Sequence, residues 1–211
     1  MNNSEEVLHR GNCFKLLAAC FCEPDNEMFL EEQLCDNLAL LLQSLSPAAA
    51  AQAEAMKSWL QITEQERLRL DHAALFVGPF ELIAVPYGSV YLENNRRVMG
   101  DSTLSTQRFY QDAGLLVEMK EPPDHIAIEL EFMYFLCAKE AEALSQGALD
   151  EAMRLQGLQA EFFLKMMAWL PQFCELVRAG ADTEFYRAAA GCLDNFYASC
   201  RLVYTGNDTI N

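Results

Sequence analysis

Basic side chains are scarce in this 211-residue chain: 15 lysines and arginines stand against 31 aspartates and glutamates, leaving a formal charge of −16 and a pI near 4.5. That balance excludes a nucleic-acid partner, because phosphate binding needs a basic stripe whose contacts release counterions. Long apolar runs are also missing: none approaches the ~18 residues of a membrane span, so an integral membrane protein is not expected. The opening Met1-Asn2-Asn3-Ser4-Glu5-Glu6 has neither the positive region nor the apolar stretch of a secretory signal. A cytoplasmic protein follows as the expectation, and in that compartment thiols stay reduced. The eight cysteines are then read as small core side chains rather than a disulfide framework.

Catalytic signatures are absent as well. No G-x-x-x-x-G-K-[ST] run is present to wrap phosphates, and Gly88-Ser89-Val90 does not approximate a nucleophile elbow. Zinc spacings are missing, and Cys20-Phe21-Cys22 is too tight to be typical. No catalytic residue, metal or cofactor is assigned on these grounds.

What the chain does have is helix after helix. Apolar residues make up 52% and charged ones 22%, a balance that folds around a sizeable core. Val7, Phe14, Leu17 and Phe21 share a face, with Asn3 and Glu6 placed to cap it. A second helix is expected from about residue 26 to 45, a third from Ser46-Pro47, and a fourth behind a Thr63/Glu66 capping box. Asp101 or Ser102 should cap the next, with Gly114 closing it. Pro122-Pro123-Asp124 opens a long helix, and three more are expected around 149–169, 171–180 and 182–204. The reading is an all-α fold, a single globular domain over 1–211, of roughly nine to ten helices.

Between the N- and C-terminal helical parts, residues 78–100 hold three glycines and two prolines without a helical period. Loops of this length inside compact domains are functional or disordered, and the aromatics Phe80, Tyr87 and Tyr91 argue against disorder. The segment either plugs the core or lines a groove for an apolar ligand. Two further patterns carry chemistry. His125 and Glu129 lie one turn apart and could share a metal, as could Glu6 and His9 in a single E-x-x-H. Asp124 beside His125 is a proton-transfer pair or, more plainly, a helix N-cap with a first-turn histidine.

Four ordered motifs carry a resemblance. Leu75-Phe76-Val77-Gly78-Pro79-Phe80, Pro86-Tyr87-Gly88-Ser89-Val90-Tyr91-Leu92, Gly100-Asp101-Ser102-Thr103-Leu104 and Glu121-Pro122-Pro123-Asp124-His125, with Phe185-Tyr186-Arg187 further on, resemble the TorD/DmsD/NarJ family, closest to its DmsD branch. The resemblance implies an all-helical, cytoplasmic chaperone without enzymatic activity. Its partner would be the twin-arginine leader, and the precursor, of a molybdopterin oxidoreductase of the dimethyl sulfoxide reductase type, held back until maturation precedes Tat export. The family's leader-binding residues map by motif onto Leu75, Phe80, Tyr87, Gly100, Asp124 and His125. Phe80, Tyr87 and His72 stand where DmsD-like members carry tryptophan. Monomer and homodimer are both compatible with the family, and a helical metal-binding enzyme using His125/Glu129 or Glu6/His9 is the alternative.

Overall fold

Proline at a first helical position gives up only a donor that would be unpaired anyway, and Ser46-Pro47 opens a helix accordingly. The computed structural model describes residues 3–79, 81–93, 97–115 and 121–206. Among them run α1 (Asn3–Cys20), α2 (Asn26–Glu31), α3 (Leu34–Leu45), α4 (Pro47–Leu60), α5 (Gln65–His72), a π-helical turn (Ala73–Val77), α6 (Ser89–Leu92), α7 (Asp101–Asp112), α8 (Ile126–Ser145), α9 (Leu149–Lys165), α10 (Leu170–Gly180) and α11 (Glu184–Gly206). The described residues contain no strand beyond one isolated backbone bridge.

Among the described residues the count of eleven α-helices, beside the roughly nine to ten expected, has local causes. The helix expected over 26–45 breaks at Gln33, whose φ of 50° lies in the left-handed region and separates α2 from α3. The loop contributes α6, a single turn too short to show a period. Two expected caps are replaced. Thr63 donates to the Trp59 carbonyl, closing α4, and Glu64 rather than Thr63 stands at the start of α5. The cap of α8 is His125, whose Nδ1 accepts from the Ala127 N–H at 3.3 Å, not Asp124.

The chain divides into two compact units, both discontinuous in sequence: residues 1–15, 87–169 and 200–211 form one, and 16–86 with 170–199 the other. Because the segments interleave along the chain, no linker marks a boundary. In the first unit α8 packs along α9, with Phe162 meeting Phe109, Tyr110 and Phe132 edge-on or tilted. In the second, α3 packs along α4, while Phe21, Phe76, Phe173 and Tyr186 interlock at 5.6–5.9 Å between ring centres. There Asp71 accepts from the N–H groups of Asp182 (3.0 Å) and Thr183 (2.7 Å), occupying donors that the start of α11 would leave unpaired. Seven of the eight thiols are buried, and Cys22 is exposed.

Candidate functional site

The motif beginning Leu75-Phe76 folds as the π turn. Its extra residue per turn is closed by Gly78 N–H on the Ala73 carbonyl at 2.9 Å. Gly78 has φ of 99°, a conformation that favours glycine and so accounts for its place in the motif. The turn sends Leu75 and Phe76 into the core of the second unit and leaves Val77 exposed. Leu75 is fully buried and its carbonyl accepts from Ala84 N–H at 3.1 Å. Phe80 lies outside the described residues.

In the first unit, two of the motifs are tied directly together. Tyr87 and His125 form the antiparallel backbone bridge, Gly88 N–H donates to the Asp124 carbonyl at 2.9 Å, and Ser89 N–H donates to Asp124 Oδ2 at 2.7 Å. Asp124 is 1% exposed, and its Oδ1 has no hydrogen-bond partner among the described residues. Its carboxylate therefore fastens the Gly88-Ser89 turn from inside. The half-buried Tyr87 and His125 rings meet edge to face at 5.3 Å. The Tyr87 hydroxyl donates to the exposed Glu121 at 2.8 Å. Burial first, then Glu121, pushes the phenol up to about 12, so it remains a donor at any physiological pH.

Beneath this face lies a pair that none of the motifs contains as such. Trp169 stacks on Tyr91 at 5.1 Å and 18°, and its indole N–H donates to Glu129 Oε2 at 3.0 Å. Thr106 Oγ1 reaches Glu129 Oε1 at 3.5 Å. A Cβ on Gly88 would stand 2.8 Å from the indole nitrogen, so only glycine lets this turn approach Trp169. Nothing local to position 129 or 169 announces the contact. The available signal was rarity, Trp169 being one of two tryptophans in the chain.

Gly100 is placed apart from that turn's hydrogen bonds, as the N-cap of α7. Neither Asp101 nor Ser102 caps the helix from its own first position. Instead Glu93, from the loop, accepts from Ser102 N–H at 2.8 Å and from its hydroxyl at 2.5 Å. The Glu93 carboxylate fills the space a side chain at position 100 would need, which explains the glycine.

A metal shared by His125 and Glu129 does not fit these contacts. Glu129 is fully buried with its oxygens turned to Trp169 and Thr106, and His125 Nδ1 is used as the helix cap. Among the described residues no group of three or more His, Cys, Asp or Glu side chains could hold a metal ion. No described helix is long and apolar enough to cross a membrane. The second unit carries a groove of about 420 Å³ beside Trp59, Ile62, Arg67 and Asp182, and no motif residue of the leader-binding set lines it.

Burial drives the Glu129 carboxyl well above the usual carboxylate range; the Trp169 hydrogen bond opposes this, and the charge of Asp124 adds to it. The unfolded chain releases that proton near pH ~4.3, so between the two values the native state binds more protons and stability falls as pH rises. Glu129→Gln keeps an acceptor for the indole and removes the titration. Its stability relative to the parent should grow as pH rises above about 4.5 in parallel urea titrations. A constant difference would mean that Glu129 is ionised in the fold.

Comparison with known proteins agrees with the motifs. The family profile described as nitrate reductase delta subunit matches residues 42–175, well over half of the chain. The chaperone protein TorD of Vibrio parahaemolyticus is 28% identical over 165 residues, covering 76% of this chain and 74% of its own. The Tat proofreading chaperone DmsD of Salmonella typhi is 29% identical over 148 residues, covering 69% and 62%. A crystal structure from Archaeoglobus fulgidus, of a protein assigned to redox enzyme maturation, superposes with a TM-score of 0.56 at 25% identity, over 89% of this chain and 92% of that one. Fold, motifs and relatives coincide, and the chain belongs to the TorD/DmsD/NarJ family of redox enzyme maturation chaperones, which are not enzymes.

Proposed function

We propose that this chaperone works in the cytoplasm, binding the twin-arginine leader of a molybdopterin oxidoreductase precursor of the dimethyl sulfoxide reductase type and assisting its maturation before Tat export. The observation that carries the reading is the joining of Tyr87, His125 and Glu121 on one face, with Asp124 holding it from within. A leader of this kind presents two arginines ahead of an apolar, helix-prone stretch. Its receptor needs apolar surface with carboxylates beside it. Glu121 and the overall charge of −16 supply the second requirement, and the aromatic rings contribute to the first.

Magnitudes assign the work. Four buried apolar side chains at ~1.5–3 kcal/mol each give a gross ~6–12 kcal/mol, whereas an exposed ion pair gives ~0–1 kcal/mol. Ordering the leader takes back ~2–5 kcal/mol. Affinity near micromolar, about −8 kcal/mol, is then reached through apolar contact, while charge sets on-rate and choice of leader.

Calorimetric titration with leaders from the same cell's molybdoenzymes tests the proposal, beside one leader whose two arginines are replaced. Tyr87→Ala should weaken binding about tenfold, near 1.4 kcal/mol, with helicity intact. Absence of binding by every leader overturns the proposal.

A further inference from the structure

Trp169 and Glu129 sit outside the leader-binding motif set, yet the indole packs against the turn that follows Tyr87. The indole is 2% exposed and covers Gly88 so closely that a Cβ there would be 2.8 Å from its nitrogen. Its face stacks on Tyr91, and its N–H is aimed by the fully buried Glu129. Glu129 N–H in turn donates to the His125 carbonyl at 3.0 Å, in the first turn of the helix that His125 caps. Thr106 of α7 steadies the other carboxyl oxygen.

We infer that Trp169, oriented by Glu129, is a positioning residue of the peptide site: it presses the Gly88–Tyr91 turn onto Asp124 and thereby fixes the Tyr87 ring against His125. The inference rests on the leader-binding reading for its consequence, though the positioning itself has its own readout. The Gly88 and Ser89 amides, held by Asp124, exchange slowly only while the turn is clamped. Trp169→Phe keeps an aromatic ring for Tyr91 and removes the N–H and the bulk beside Gly88. Glu129→Gln keeps the acceptor for the indole and serves as the conservative control.

Hydrogen exchange by NMR and leader titration are measured on the same full-length variants. In Trp169→Phe, exchange at Gly88 and Ser89 should quicken at least tenfold and leader affinity should fall about tenfold, with far-ultraviolet helicity unchanged. Glu129→Gln should keep both within about threefold. If Trp169→Phe fails to fold, Tyr91→Leu, which removes only the stacking partner, should quicken the same two amides about threefold. Unchanged exchange at Gly88 and Ser89 in a folded variant overturns the inference, whatever the leader does. Faster exchange together with a parent protein that binds no leader upholds the positioning and sinks the leader reading instead.

Discussion

Replacing Glu140 with leucine should lower stability by about 3–5 kcal/mol. Glu140 on α8 and Arg10 on α1 are each about 95% buried, with the guanidinium nitrogen 3.7 Å from the carboxylate. Gln159 of α9 donates to the same carboxylate at 2.7 Å, and its carbonyl oxygen accepts from Tyr204 at 3.0 Å and from Cys137 at 3.2 Å. Arg10 also lies over the Tyr204 ring at 5.4 Å. Four helices of the first unit are thus joined by one buried polar network. Removing the carboxylate leaves the guanidinium buried without its counter-charge, and breaking such a pair costs more than the pair itself contributes. The paired change Arg10→Met with Glu140→Leu should therefore recover part of the loss, to within about 1–3 kcal/mol of the parent, the remainder being the buried Gln159 amide left without its acceptor. Denaturant titration of the four members of this cycle measures the coupling. Additive losses would show that the two side chains are satisfied independently.

How much of this was legible from the residues depends on how far apart the partners lie in sequence. α4 was marked by Ser46-Pro47 and the end of α7 by Gly114, whose φ of 81° suits only glycine well. Both signals act within a few residues, where periodicity and capping rules apply. The break at Gln33 was invisible because a left-handed glutamine has no compositional mark. The π turn escaped for a similar reason: one extra residue shifts the register without disturbing the apolar pattern of Leu75 and Phe76. The cap of α8 went to His125 because Asp124 was already committed to Ser89, 35 residues away. The cap of α7 went to Glu93 from the preceding loop.

The same distance rule applies to the site. Motif resemblance singled out Tyr87, Asp124 and His125, and the fold brings them into contact through backbone pairing that no spacing rule foretells. It could not separate exposed members from buried ones. Leu75 and Asp124 are buried, whereas Tyr87 and His125 are partly exposed. Glu129 read as a metal candidate on the i, i+4 spacing from His125, but it faces an indole 40 residues later, a partner only the tertiary structure supplies.

That division of roles makes Asp124 the sharpest probe of the site. Asp124→Leu removes the acceptor of Ser89 N–H, a group that is itself fully buried, and an unpaired buried donor costs about 1–3 kcal/mol. The turn would loosen, and leader affinity should fall about thirtyfold, near 2 kcal/mol. Asp124→Asn is the informative companion. Its amide oxygen can still accept from Ser89, and its NH2 group would take the place of Oδ1, which has no partner among the described residues. If Asp124 acts by holding the turn, Asn should retain leader affinity within about threefold and Leu should not. If the carboxylate meets a leader arginine directly, Asn should lose as much as Leu, because removing the charge then matters more than keeping the acceptor. Titration of both variants with one leader decides between a positioning carboxylate and a contact carboxylate at the same position.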